Sequence, residues 1–161
     1  MNINFGPRGL LQIDDARLIY KNFEGRGDKY NREGDRNFAI LIQDEDLKDK
    51  LLNDVNRYDV AWNIKIKPPR EEGDIPFMYL PVKVKFTDRG PNVYLKSGTA
   101  TNRLTEETIG ILDDIEIEMV DLDIRPYDDV VNGKPFRAAY LHAMHVTQRV
   151  DRFRSRMEED F

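Results

Sequence analysis

The stretch from Ile115 to Gln148, IEIEMVDLDIRPYDDVVNGKPFRAAYLHAMHVTQ, constrains the fold more than any other part of the chain. Two long strand-like runs flank Asn132-Gly133. That dipeptide is the strongest short hairpin signal, because both turn positions need a positive φ that Asn and Gly tolerate. Ile115, Ile117, Met119, Val120, Leu122 and Ile124 precede the turn; Phe136, Tyr140, Leu141, Met144 and Val146 follow it. A hairpin this long needs a large sheet or barrel beneath it, and the reading is the closing hairpin of a small β-barrel.

The chain has 161 residues, enough for one domain with a proper core. Residues 1–148 are read as that domain and residues 149–161 as a C-terminal tail. No apolar run approaches a membrane span and no signal-peptide pattern opens the sequence. The expected location is therefore the cytoplasm, with no membrane partner. There is no cysteine, which excludes disulfides, a Cys-based zinc site and a thiol nucleophile.

Several further elements follow from pattern. Met1 to Arg8 reads as an irregular lead-in. Leu10 to Phe23 reads as a first strand, bulged near Asp14-Asp15 where the apolar parity changes. Glu24 to Asn37, EGRGDKYNREGDRN, reads as a long, flexible, basic loop carrying Arg26, Lys29, Tyr30, Arg32 and Arg36. Phe38 to Ile42 is a buried strand. Asp44 caps an amphipathic helix reaching about Arg57, its stripe made by Leu47, Leu51, Leu52 and Val55. Val60 to Lys67 alternates, which places Trp62 on the apolar face and Lys65 and Lys67 on the other. Ser97 to Arg103 reads as a polar link, and Thr105 caps a second short helix before the hairpin.

The segment Phe77 to Phe86, FMYLPVKVKF, carries the most functional information. Met78, Leu80, Val82, Val84 and Phe86 share one face; Phe77, Tyr79, Lys83 and Lys85 share the other. Asn92 to Lys96 repeats the device, with Tyr94 and Lys96 opposite Val93 and Leu95. Aromatic rings accept stacked bases and lysines meet the phosphates between them. A second packed face or a dimer contact is the competing reading. Pro81 places the strand at an edge or a bulge, because it cannot donate to a ladder.

The formal net charge is −5, but the charges are sorted along the chain. From Ala61 to Leu104 eight cations oppose four acids. From Thr105 to Val131 ten acids oppose Arg125 alone. From Asn132 to Met157 six cations oppose one acid. Such sorting predicts a molecule with one positive face. Catalysis finds little support. His142 and His145 fall on opposite faces of a regular strand. Asp121, Asp123, Asp128 and Asp129 could hold a divalent ion for a nuclease, the least favoured alternative. No phosphate-cradling glycine loop and no nucleophile elbow is present, and no cofactor is expected.

The resulting order is strand, basic loop, strand, helix, three strands, short helix and long hairpin. The expected fold class is mainly β: an OB-fold-like small barrel with one inserted amphipathic helix and a second short helix before the hairpin. The runs RNFAILIQDEDL, AWNIKIKPPREEGD, YLPVKVKF, VDLDIRPYDDVVNGK and AAYLHAMHVT, in that order, resemble the bacteriophage single-stranded DNA-binding proteins of OB-fold type. The resemblance covers about Arg36 to Gln148. It implies sequence-independent coating of single-stranded DNA in phage replication or recombination, without catalysis.

The C-terminal tip Glu158-Glu159-Asp160-Phe161 is similar to the acidic tails through which such proteins dock replication or recombination partners. It departs from them in its brevity and in the arginines that precede it. The expected site comprises Phe77, Tyr79 and Tyr94 for bases, and Lys65, Lys67, Lys83, Lys85 and Lys96 for phosphates. Arg26, Lys29, Tyr30, Arg32 and Arg36 close over the strand, and Trp62 is a marginal member. The alternative is a barrel that binds protein rather than nucleic acid; a homo-oligomer is compatible with either.

Overall fold

The computed structural model describes residues 1–150; the tip at 158–161 and the remainder of the tail from 151 lie outside the described residues. Ten strands form one sheet: β1 (Asn2–Phe5), β2 (Leu11–Asp14), β3 (Leu18–Asn22), β4 (Arg36–Ile42), β5 (Lys65–Lys67), β6 (Phe77–Val84), β7 (Asn92–Ser97), β8 (Ala100–Leu104), β9 (Ile117–Val131) and β10 (Lys134–Gln148). One α-helix, α1 (Glu45–Asn53), lies between β4 and β5. The fold is mainly β with one inserted helix, as the sequence predicts.

The hairpin organises the sheet. Asn132 and Gly133 take φ of 53° and 76°, which both residues accept at little cost. β9 and β10 pair in antiparallel from Val131↔Lys134 to Ile117↔Gln148. The free flank of β9 takes β2, and the free flank of β10 takes first β6 at Lys83↔Tyr140 and then β7 from Asn92↔Ala143 to Lys96↔Thr147. β6 continues to β4, and β4 to β3.

The ladder path β1-β2-β9-β10-β6-β4-β3 is not closed by a ladder. Its two sides meet through the chain itself, because β2 and β3 are halves of one interrupted strand. Asp15 adopts φ 54° at the break. Ala16 N–H donates to Val120 O at 2.8 Å on one side, and Leu41 N–H donates to Arg17 O at 2.9 Å on the other. The predicted bulge near Asp14-Asp15 is thus a full break between two partners.

The concave side holds one core. Leu11, Ile13, Ile40, Met78, Leu80, Val82, Ile124 and Met144 are among its fully buried members, and Phe23 stacks on Phe38 with ring centroids 5.0 Å apart. The alternation in β6 places Met78, Leu80, Val82 and Val84 inside, as the pattern requires.

Four elements differ from the sequence reading. The N-terminal lead-in forms β1 against β2, because an exposed edge accepts an extended segment. The polar link contains β8, paired to β7 from Val93↔Leu104 to Ser97↔Ala100; Gly98 at φ 62° makes its turn possible. Of Val60 to Lys67 only Lys65–Lys67 is strand. The second helix is a single 3-10 turn, Ile109–Asp113, and the Thr108 hydroxyl accepts from Thr105 N–H at 2.7 Å instead of Thr105 capping it. α1 keeps its predicted cap, Asp44, whose carboxylate accepts from Asp46 N–H at 2.8 Å. It ends at Asn53, short of Arg57, and buries Leu51 while Leu52 and Val55 stay exposed.

Candidate nucleic-acid interface

The outer faces of strands β4 and β6, which carry Asn37 and Ala39 and Tyr79, Pro81 and Lys83, floor a cleft of about 770 Å³. Tyr20 and the end of the loop at Gly34 and Asp35 stand on one side; Tyr140 stands on the other. Tyr79, Lys83 and Lys85 come from β6 and the segment after it, and Arg36 from the start of β4.

The rings are grouped. Tyr20 lies edge-on to Tyr79 at 5.3 Å between centroids and to Phe77 at 6.4 Å, and Phe77 and Tyr79 are 5.5 Å apart. Tyr20 is 58 % exposed and Phe77 38 %, so both keep ring surface available to a ligand. At the other side Lys83 Nζ lies 6.0 Å and the Arg125 guanidinium 5.5 Å from the Tyr140 ring centre. Tyr127 packs edge-on to Tyr140 at 6.0 Å and tilted to Phe136 at 6.1 Å. A hydrogen bond to the Asp129 carboxylate holds the Tyr127 phenol above its usual pKa.

Pro81 sits where it does no harm. On one flank of β6, β5 pairs through Phe77, Met78 and Tyr79, and β10 pairs at Lys83. Pro81 falls between those two ladders, so an interior strand tolerates a residue without an N–H. This corrects the sequence expectation of an edge or a bulge: β6 is an interior strand in regular register with β4, and Pro81 occupies the gap between two partners on its other flank.

A cleft floored by outward aromatics and lysines on a mainly β sheet narrows the family. Residues 4–159 match the family model of a phage ssDNA-binding domain. The chain belongs to that family. Among solved structures it is similar to the single-stranded DNA-binding protein of bacteriophage Enc34. A C-terminally truncated form matches at TM-score 0.52 and 13% identity, covering 93% of this chain and 92% of that one. The form in complex with ssDNA matches at 0.51 and 16%, with the same coverage. At these identities the likeness speaks to the fold. No curated protein matches the chain.

Most of the predicted strand residues of this family member come together. Lys65 is the cross-strand partner of Tyr79, and Lys67 of Phe77, with Lys67 Nζ 5.8 Å from the Phe77 ring centre. They extend the face beyond the cleft. Tyr94 and Lys96 lie on β7, away from the cleft, where Tyr94 packs on His145 at 5.2 Å. Trp62 belongs to the core: it is 2 % exposed, its Nε1 donates to Asp54 Oδ2 at 2.8 Å, and the Arg137 guanidinium covers its ring at 4.9 Å. No face of that ring is open to a base, which corrects its place among the binding residues.

The loop is built differently from the flexible loop expected. Asn22 Oδ1 accepts from Gly25 and Arg26 N–H, and Asp28 Oδ1 accepts from Tyr30 and Asn31 N–H. Asn31 Nδ2 reaches the carbonyls of Arg26 and Asp35 at 2.8 and 3.0 Å. Glycine and asparagine here serve local hydrogen bonding as well as solubility. Arg36 lines the cleft but pairs with Glu106 at 3.3 Å, and its Nε is buried without an acceptor. Arg26 pairs with Glu24 at 3.8 Å. Lys29 lies over Tyr30, which is 90 % exposed, and Arg32 is exposed. Of these loop residues Arg36 alone lines the cleft; Arg26, Lys29, Tyr30 and Arg32 stand outside its lining.

Tyr20 and Tyr140 are the cleft residues that sequence reasoning missed. Tyr20 has φ 53° at an irregular register between Ile19 and Asn22, which defeats any alternation argument. Tyr140 was legible: it alternates with the inward Ala139 and Leu141, so its ring must face out.

Three of the four hairpin acids, Asp121, Asp128 and Asp129, accept hydrogen bonds. Asp128 accepts from Arg137 Nε and Asn56 Nδ2, each at 2.8 Å, and Asp121 accepts from Asp15 N–H at 2.8 Å. Among the described residues no group of three or more His, Asp or Glu side chains is placed to hold a metal ion. The two histidines depart from the expectation of opposite faces. β10 shifts register between Leu141 and Ala143, so Leu141 and Met144 are both buried and His142 and His145 both turn outward. Among the described residues no helix is long and apolar enough to cross a membrane.

Proposed function

We propose that the protein binds single-stranded DNA irrespective of sequence and coats it during phage DNA replication or recombination, holding the strand rather than cutting it. The observation that carries this reading is the cleft in which Tyr20, Tyr79 and Tyr140 stand beside Lys83 and Lys85. Ring faces accept any base, and ammonium groups meet any phosphate, so neither reads sequence. A duplex keeps its bases stacked on each other and offers none to these rings.

Phe77 and Tyr79 take bases, with Tyr20 and Tyr140 as the added members. Lys65, Lys67, Lys83 and Lys85 follow the backbone, and Tyr94 and Lys96 on β7 take a more distant part of a long strand. Arg36 exchanges Glu106 for a phosphate. The rim residues Arg26, Lys29, Tyr30 and Arg32 flank the strand. Replication or recombination partners would dock on Glu158, Glu159, Asp160 and Phe161, an apolar ring behind carboxylates being a recognisable docking peptide.

Titration of a labelled oligo-dT, with duplex DNA as control and at two salt concentrations, tests the reading by fluorescence polarisation. The expected result is binding to the single strand that ignores base composition and weakens steeply with salt. Absence of binding at low salt would sink it.

A further inference from the structure

A second cleft, of about 450 Å³, adjoins the first. Its charged lining is entirely basic: Arg8, Lys85, Arg89 and Arg125, with His142 beside them and no carboxylate. None of the four cations makes an ion pair with another described residue. No Phe, Tyr or Trp lines this cleft, so it offers charge without stacking.

Three separate pieces of chain bring these groups together. The single 3-10 turn Pro7–Gly9 carries Arg8 at φ 60°, and Gly9 packs its backbone close to Pro126, next to Arg125. The turn closed by Thr87 N–H to Gly90 O at 2.7 Å presents Arg89, and Gly90 lies near the His142 carbonyl. The register shift in β10 turns His142 outward to meet them. Like charges held in a concave site repel one another and focus a positive potential into it. Such an arrangement costs stability unless an anion occupies it.

The two clefts are continuous. Lys85 lines both, and Arg125 of the second lies over the ring of Tyr140 in the first. We infer that this basic cleft seats the phosphodiester backbone of the strand as it leaves the aromatic cleft, as a subsite that reads charge alone. The inference rests on the single-strand reading above and assigns a binding role to Arg8, Arg89, Arg125 and His142, which the sequence patterns gave none.

The test compares two oligo-dT lengths, about 4 and about 16 nucleotides, the limits that one OB-type site covers. Salt dependence is measured for the wild type and for Arg8→Gln, Arg89→Gln and their double variant. Each phosphate contact on a single strand contributes a slope of about 0.7 in log affinity against log salt. The double variant should therefore lower the long-oligonucleotide slope by about 1.4, and weaken its binding on the order of tenfold near 0.1 M salt. Each single variant should take half that slope. Short-oligonucleotide binding should stay at the wild-type level, and an Arg8→Lys/Arg89→Lys protein should keep the wild-type slope.

An unchanged slope in the Gln variants overturns the subsite while leaving the single-strand reading intact. Equal losses for both lengths overturn it as well, because the residues would then belong to the first cleft. Failure of the wild type to bind either length removes the single-strand reading and the subsite together.

Discussion

Tyr79 and Tyr140 show how one side chain can matter for a ligand and little for the fold. Both are half-buried on the outer face of the sheet, Tyr140 beside Lys83 and Tyr79 earlier along β6. Truncating either to Ala removes a ring but opens no cavity in the core. Tyr79→Ala and Tyr140→Ala should each weaken oligo-dT binding by about 1–3 kcal/mol, the usual worth of one base–ring contact. Thermal melts should stay within a few degrees of the wild type. A large drop in melting temperature with affinity intact would show that these rings support the sheet instead. Parity alone identified Tyr79, since its neighbours Met78 and Leu80 had to point inward. It identified Trp62 as inward too, and the structure closes that ring between Asp54 and Arg137. Tyr20 could not be read this way, because a left-handed residue inside a strand breaks the period on which such reasoning depends.

At the scale of elements, the sequence was most legible where one force dominates. The β9–β10 hairpin and β6 follow from alternation and from Asn132-Gly133, and both are present, β6 with the predicted faces and β10 with its alternation broken at the register shift beside His142. β1 and β8 were hidden because short polar edge strands bury little and carry no apolar pattern. The loop between β3 and β4 was legible as a loop, but its internal bonding was not: composition reports solubility, while the side chain-to-backbone hydrogen bonds within it are revealed by geometry alone. Asn31 is the centre of that network, joined also to Asn37 Nδ2 at 2.9 Å. Asn31→Ala should release the loop without loosening the sheet. Amide hydrogen exchange should accelerate across residues 25–35 while β6, β9 and β10 keep wild-type protection. Unchanged exchange in the loop would show that Asn22 and Asp28 suffice to hold it.

The whole molecule is braced where the segment after α1 meets the hairpin. Arg137 is 9 % exposed; it donates to both Asp128 oxygens and to the Asp54 carbonyl, and it covers Trp62. Burial pushes the Asp128 carboxyl up, but hydrogen bonds from Arg137 and Asn56 and the charges of Arg137 and Arg57 outweigh it and hold the pKa below the usual value. A carboxylate depressed in the folded state adds stability that is present above its unfolded pKa of about 3.9 and is lost as pH falls through the folded value. Asp128→Asn should therefore cost about 3 kcal/mol at neutral pH, where it leaves a buried guanidinium short of a partner. In acid the urea midpoints of wild type and variant should converge; a gap independent of pH would deny Asp128 this role. The divided first strand has a consequence in time. β3, β4 and β6 are near neighbours in sequence, so the floor of the aromatic cleft can assemble from contacts of modest separation. β2 waits for β9, with Leu11 paired to Ile124. On the ribosome the cleft floor is synthesised well before the strand that completes the ring, and long-range pairing of this kind is slow. The nascent chain thus carries Tyr20, Phe77 and Tyr79 before Tyr140 of β10 has been made, while its N-terminal strand is still without its partner.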